Sequence, residues 1–341
     1  MTKRERVLAS VRRQPLDAIP WQFDLTSAVR RKLAEYYGTD DILTATGDHI
    51  VWAGFGEPTG FVPEPTLPDC GRSEFGAVWA RAARDTTVGD WGELVSYPLH
   101  DPSLDGYRFP DGAAPGRALH IPPVREHYPE HFLVVGGPGL FESAWALCGF
   151  ENYLGYIMSE PDFVREVTER LADFSCGVLR QCAGMGVDGV RFGDDWGFQD
   201  RLMLRPEVWR RTYKEAYRRI FGAARDLGLV VMLHSCGNLT EILPDLIDAG
   251  LEVFHPLQPE AMDVAYCHRE FGQDISFWGG LGSQSTIPLG TPDDVRREVR
   301  DRLSLFHDGY ILAPAGAIPT EAPVENVVAI VEEAFAQLGE G

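Results

Sequence analysis

His234-Ser235-Cys236-Gly237 is the sharpest chemical signal in the chain, and it closes the apolar run Val230-Val231-Met232-Leu233. Residues i and i+2 at the end of a strand project to the same side, so an imidazole and a thiolate placed there can share one metal ion. Nitrogen and sulfur donors suit Zn²⁺, which takes at least three protein ligands at a catalytic centre. The same residues also suit a polar turn capping the helix that begins near Leu239. Two donors do not complete a site, and the rest of the set has to come from elsewhere in the chain.

Gly193-Asp194-Asp195-Trp196-Gly197 is the second candidate. Neighbouring residues at a strand end point different ways, so only one of Asp194 and Asp195 is expected to face a substrate. That carboxylate could bind an amine or hydroxyl, or act as an acid or base if its pKa is raised; the competing reading is a solvated loop or helix cap. His255-Pro256-Leu257-Gln258 adds two hydrogen-bonding or ligand groups, although a lone histidine in such a place is more often structural. Gln284 and Ser285 follow a glycine stretch that lets backbone approach a ligand or simply turn tightly. Asp24 follows the run Ile19 to Phe23. Trp52, Phe55, Trp91 and Tyr107 could line an aromatic pocket or serve as core, and Cys176, Cys182 and Cys267 read as packing.

Elements that would position these groups are most legible in the second half. Apolar runs at Val187 to Phe192, Leu229 to Leu233, Leu251 to Phe254, Ile275 to Trp278 and Tyr310 to Ala313 have the near-continuous hydrophobicity of strands buried on both faces. Asp188 and Arg191 interrupt the first of them. Ile19 to Phe23 and Phe132 to Val135 are earlier candidates. Between the runs, Phe163, Val167, Leu171, Phe174 and Val178 make one face of a helix starting near Pro161, and Trp209, Tyr213, Ala216, Ile220, Ala223 and Leu227 make another after Pro206. Thr291-Pro292-Asp293-Asp294 opens a third helix with a cap, a proline at its first position and acids at its positive end, and Pro323-Val324-Glu325-Asn326 opens the last.

Alternating strands and helices predict a parallel sheet, either open and doubly wound or closed as a (β/α)8 barrel. Polar residues or glycine follow nearly every run, which puts candidate groups at the C-terminal ends of several separate strands. That pattern favours a barrel, whose active site is built from all its strand ends, over an open sheet with one switch point. We therefore expect a (β/α)8 TIM barrel in a single domain spanning 1–341. Seven strands are visible, and an eighth is expected within an irregular insertion at about 50–130 that covers the barrel mouth.

Bulk properties exclude several classes. With 31 basic and 51 acidic residues the formal net charge is −20, which makes nucleic acid and anionic membrane poor partners. Six cysteines without a C-x-x-C pair, an N-terminal segment without an apolar signal run, and no stretch near about 18 apolar residues point to a cytoplasmic protein. There is no G-x-G-x-x-G after the first strand and no G-x-x-x-x-G-K-[ST], so nucleotide chemistry of those types is disfavoured. Oligomeric state stays open.

Taken together, G-D-D-W-G-F-Q-D at 193–200, H-S-C-G-N at 234–238, W-G-G-L-G-S-Q at 278–284, G-T-P-D-D-V at 290–295 and Pro323-x-Glu325-Asn326 resemble the uroporphyrinogen decarboxylase superfamily. The resemblance implies a (β/α)8 barrel. True decarboxylases of that superfamily grip porphyrin carboxylates with an R-Q-A-G-R segment, whereas this chain has Trp21-Gln22-Phe23-Asp24-Leu25-Thr26. The other branch, cobalamin-dependent methyltransferases, holds zinc with H-x-C and a later cysteine. His234 and Cys236 match the first two, but Pro314-Ala315-Gly316-Ala317 offers no third. The resemblance therefore implies Asp194, Asp195, His255 or Glu321 as the remaining ligand, or a metal site that has been lost. It also implies methyl transfer between a small methylated or thiol substrate and a cobalamin on a separate corrinoid protein, since no D-x-H-x-x-G motif is present. In that scheme Asp194, Asp195, His234 and Cys236 are catalytic, and Asp24, His255, Gln258 and Gln284 bind substrate. The rivals are a metal-independent lyase of a small carboxylic acid and a non-catalytic binding barrel.

Overall fold

Seven short strands, each rich in branched or aromatic residues and bounded by glycine or polar turns, assemble in strict chain order into one all-parallel sheet. They are Ile50–Ala53, Phe132–Gly137, Gly189–Gly193, Val230–His234, Val253–Leu257, Ser276–Leu281 and Tyr310–Pro314. A computed structural model describes residues 1–56, 62–67, 69–81 and 91–339 of the chain. Sequential order leaves the sheet without the reversal that defines a doubly wound fold. The sheet curls, and segment 20–22 hydrogen-bonds toward both of its outer strands. Leu312 N–H donates to Pro20 O and Gln22 N–H to Leu312 O on one side, while His49 N–H donates to Trp21 O on the other.

Alternation with period two sorts the side chains onto two faces. Val231, Leu233, Phe254 and Leu312 pack outward with the helices, whereas Val230, Met232, Val253 and Ile311 meet on the concave face. Val7 and Val11 of the first helix, Lys3–Val11, join that inner cluster. Covering helices form where the sequence carries an apolar stripe. In Pro206–Asp226, Trp209, Tyr213, Ala216 and Ile220 are buried as the spacing predicts, together with Tyr217 and Phe221. Thr291 caps Pro292–Leu305 in a reciprocal capping box with Asp294.

Two sequence expectations need correction, and a third is met. Ile19 to Phe23 does not form a full strand: its sheet contact is a single parallel bridge, Trp21 to Leu312. The run from Val187 becomes strand at Gly189; Asp188 just before it bonds through its backbone to Leu133 and Val230, and its carboxylate accepts from Arg4 and Arg125. The stretch at 50–130 holds the further strand expected there. It contributes Ile50–Ala53, which pairs in parallel with Phe132–Gly137, the helix Ile121–His127, and a four-stranded antiparallel sheet. That sheet is Val62–Pro63, Cys70–Arg72, Val78–Arg81 and Trp91–Ser96, strands too short to show a pattern in sequence. Trp79 on it meets Trp145 on the helix Phe141–Cys148, ring centres 5.8 Å apart.

Candidate metal and substrate site

The parity that sends Val230 and Met232 inward also sends His234 inward, and Val253 carries His255 with it. Arg191 lies between two outward residues, Val190 and Phe192, and so faces the same side, as does Trp52 two residues after Ile50. At this end of the sheet opens a cavity of about 570 Å³, whose lining includes Asp24, His234, Cys236, His255, Gln258 and Gln284. Residues 315–317, where the resemblance looks for a further cysteine, form part of its wall without offering a ligand side chain. Groups spread from position 24 to position 284 thus meet at one rim.

Two of them, with the neighbouring Asp195, form a tight donor set. Ligand atoms of Asp195, His234 and Cys236 all lie within 4.8 Å of one another. Cys236 Sγ is 3.5 Å from His234 Nε2, and Asp195 Oδ1 is 3.5 Å from the same nitrogen. Ligands bound to zinc at ordinary lengths in tetrahedral directions are separated by about 3.4–3.6 Å. The oxygen, nitrogen and sulfur donors therefore fit zinc by type, and both separations from His234 Nε2 fit it by length.

Close backbone packing brings the aspartate to the histidine and cysteine. The loops after Gly189–Gly193 and Val230–His234 press together at two glycines, and a Cβ on Gly237 would lie 2.4 Å from backbone atoms of Gly197. Gly237 also has a φ of +86°, which a residue with a Cβ rarely adopts. Asp195 Oδ1 then accepts the Cys236 N–H at 2.8 Å, and Gln258 Oε1 accepts the Gly237 N–H at 3.0 Å. Gln258 thus acts through the loop that carries the thiol.

Hydrogen bonding assigns the imidazole tautomers. Arg191 Nη1 lies 3.4 Å from His255 Nδ1, and a guanidinium can only donate, so that nitrogen is an acceptor. His234 Nδ1 lies 2.8 Å from the same atom and must carry the hydrogen. His234 Nε2 is left with its lone pair facing Asp195 and Cys236, as a metal ligand requires. Burial, reinforced by Arg191, pulls His234 down to about 4 and His255 well below the usual imidazole range, so both rings are neutral near pH 7.

The thiol is tuned the opposite way. Burial and the neighbouring Asp195 and Glu142 carboxylates push Cys236 up to about 12, so it is a thiol unless a cation sits beside it. Glu142 itself is half-buried, and desolvation with the neighbouring Asp194 and Asp195 carboxylates pushes it up to about 8. Glu142 and Arg191 are site neighbours that sequence reasoning missed. Glu142 sits on a helix with no motif around it; Arg191 left one trace, a charge interrupting an apolar run.

Asp194 does not join the donor set. It is fully buried, and its oxygens accept the Leu140 and Glu142 N–H groups at 2.7 and 2.8 Å and the Tyr217 hydroxyl at 2.5 Å. It caps the N-terminus of Phe141–Cys148, and burial pushes its carboxyl up to about 6 against those bonds. Glu321 is exposed and lies outside both the donor set and the cavity lining. Asp24 and Gln284 reach the cavity with exposed side chains, and Gln284 N–H donates to Glu260. Of the aromatic candidates, Trp52 sits over Arg191, Phe55 packs against the core, and Tyr107 bonds to Phe75 O beside a separate cavity. The side chain of Trp91 lies outside the described residues. Cys176, Cys182 and Cys267 are buried free thiols, as packing residues should be.

The family described as Uroporphyrinogen decarboxylase (URO-D) matches residues 124–336. A methylated-thiol--coenzyme M methyltransferase of Methanosarcina mazei is 25% identical over 191 residues, covering 56% of this chain and 49% of that protein. A methylcobamide:CoM methyltransferase MtaA of Methanosarcina barkeri is 22% identical over 209 residues, covering 61% of this chain and 59% of the relative. The chain thus spans about half to three-fifths of the length of these curated relatives. A solved methyltransferase from Methanosarcina mazei superposes with a TM-score of 0.76 at 18% identity, over 98% of this chain and 99% of that one, and so shares the fold.

Proposed function

The chain belongs to the uroporphyrinogen decarboxylase family, and from that premise we propose that it is a corrinoid-dependent methyltransferase. It moves a methyl group between a small methylated or thiol substrate and a cobalamin carried by a partner protein. The observation that carries this reading is the convergence of Asp195, His234 and Cys236, the last two of which line a cavity sized for a small molecule. Names of the similar Methanosarcina proteins support it. Asp195 would supply the third donor that residues 314–317 do not offer.

Zinc bound there would lower a substrate thiol's pKa or polarise the heteroatom of a methyl donor. The protein's own groups do the positioning. His255 holds the His234 tautomer, Gln258 holds the loop of Cys236, and Asp24 and Gln284 face the substrate across the cavity. Uroporphyrinogen fits poorly, because the segment at 21–26 brings no arginine to grip its carboxylates.

We also read the curled sheet with segment 20–22 as a closed (β/α)8 barrel in one domain, with the antiparallel sheet over its mouth. Hydrogen bonds of segment 20–22 to Leu312 and from His49 support closure. Six free cysteines suit the cytoplasm, and among the described residues no helix is long and apolar enough to cross a membrane. The net charge of −20 speaks against nucleic acid as a partner.

Metal analysis followed by a spectroscopic assay tests the function. Purified protein should carry about one Zn²⁺ per chain, the stoichiometry of a single three-ligand site. Mixed with methylcobalamin and a small thiol, it should accelerate loss of the methyl–cobalt spectrum only when zinc is present. A folded protein that neither holds zinc nor demethylates methylcobalamin returns the site to the metal-independent lyase.

A further inference from the structure

A second cavity, of about 250 Å³, lies between the antiparallel sheet and the helix Phe141–Cys148, and it shares no lining residue with the one at the strand ends. Local periodicity builds both of its walls. Ala77 and Trp79 are two apart on the strand side and so face one way, while Glu142, Trp145 and Ala146 stand at i, i+3 and i+4 on one helix face. Phe75, in the turn between Cys70–Arg72 and Val78–Arg81, adds a third ring. Trp79 and Trp145 meet at 63° with ring centres 5.8 Å apart, so the two indoles form adjoining walls and not a stack. Neighbours fix the other edges of this frame. Phe150 packs against Trp145 with ring centres 5.9 Å apart, Phe174 against Phe75 at 4.8 Å, and the Tyr107 hydroxyl donates to Phe75 O at 2.8 Å. All three lining rings are half-buried, as rings that border an opening should be.

Into this largely apolar lining the chain puts one carboxylate, Glu142. The charges acting on it are those of Asp194 and Asp195, both of its own sign. Glu74, one residue before Phe75, is treated differently: Arg117 binds both of its oxygens at 2.7 and 2.6 Å. We propose that Phe75, Trp79, Trp145 and Glu142 form a cage for a small methylated ammonium ion. The faces of electron-rich rings attract a cation, and the carboxylate selects a cation over a neutral or anionic ligand of the same shape. A net charge of −20 concentrates cations at the surface. N-methyl groups fill aromatic and alanine walls without bringing donors to satisfy, whereas a bare ammonium brings N–H groups that those walls leave unmet. The cavity is smaller than the roughly 300–1,000 Å³ of drug-sized sites, which limits the occupant to a few heavy atoms. Glu142 also acts on Cys236 through space, so its charge is felt at both sites. The cage lies outside the donor set and stands whether or not the chain transfers methyl groups.

Calorimetry and tryptophan fluorescence of the full chain titrated with choline test the cage. The controls are the uncharged isostere of choline, with carbon in place of nitrogen, and ammonium chloride. Choline is expected to bind at least about tenfold more tightly than either. Trp79→Leu and Glu142→Gln should each remove most of that preference, while Trp79→Phe, which keeps a ring, should retain it. Should the leucine variant fail to fold, the N-methyl proton resonances of choline bound to the unsubstituted protein give the same answer, because aromatic walls shift them upfield. Equal binding of choline and its isostere, or N-methyl resonances that stay in place on binding, overturns the proposal. So does ammonium bound as tightly as choline, or a preference that survives both Trp79→Leu and Glu142→Gln.

Discussion

His234 donates its Nδ1–H to Nδ1 of His255 across 2.8 Å, and that bond leaves the opposite nitrogen of His234 bare toward Cys236 and Asp195. The acceptor is itself held in place by Arg191, so three inward-facing residues on adjacent strands settle one lone pair.

Removing that acceptor should loosen the metal. His255→Phe keeps a ring against Trp278 but cannot accept the His234 hydrogen. Zinc affinity is expected to fall about 10–100-fold. Competition with a chromogenic chelator measures it, and an unchanged affinity would contradict the tautomer assignment.

Neighbouring aspartates should behave as opposites. Asp195→Asn, His234→Ala and Cys236→Ser are each expected to reduce bound zinc well below one per chain, with the fold intact by circular dichroism. Asp194→Asn should retain its zinc. It should instead lose about 3 kcal/mol of stability, because an amide cannot accept all three donors of a buried site. Zinc loss in the Asp194 variant at unchanged stability would reverse the two roles.

The contact between the two loops predicts a backbone effect. Gly237→Ala places a Cβ 2.4 Å from Gly197 at a φ of +86°. A cost above about 2 kcal/mol is expected from the left-handed conformation and the clash together. Denaturant unfolding of the variant, paired with its zinc content, checks whether the clasp also sets the donor spacing.

A pH effect should arise at the opposite end of the chain's core. Burial, with Arg6 against its Nε2 at 2.7 Å, pulls His49 from 6.5 down to about 2. The unfolded chain therefore binds the proton first. This contribution is complete above about 6.5 and is lost as pH falls through that window. Asp48 acts oppositely: burial pushes it from 3.8 up to about 7, so its contribution is present in acid and fades as pH rises. A bulk pH profile mixes the two, but the difference between wild type and His49→Gln separates them. Between pH 4 and 6 that variant should lower the slope of unfolding free energy against pH by about 1.4 kcal/mol per unit. An unchanged slope would mean that His49 is charged in the folded state.

Much of this was legible in local sequence. Continuous apolar runs marked the buried strands, and four-three spacing marked Pro161–Arg180 and Pro206–Asp226, because burial on one or two faces imposes its period on the chain. His234 and Cys236 were found by a relationship that spans two residues. The antiparallel strands between Val62 and Ser96 were not legible, since two to six residues with exposed positions carry no period.

Tertiary structure alone chose between Asp194 and Asp195. Adjacent carboxylates are equivalent as letters, and they separate only because one meets the N-terminus of Phe141–Cys148 and the other meets a loop clasped at Gly197 and Gly237. Arg191 likewise read as a flaw in a strand until folding placed it beside His255, between Trp52 and Trp278. Sequence determines period, parity and donor type, which are local properties. Which donors converge depends on contacts between strands and loops far apart in the chain, where sub-ångström packing and hydrogen-bond direction decide.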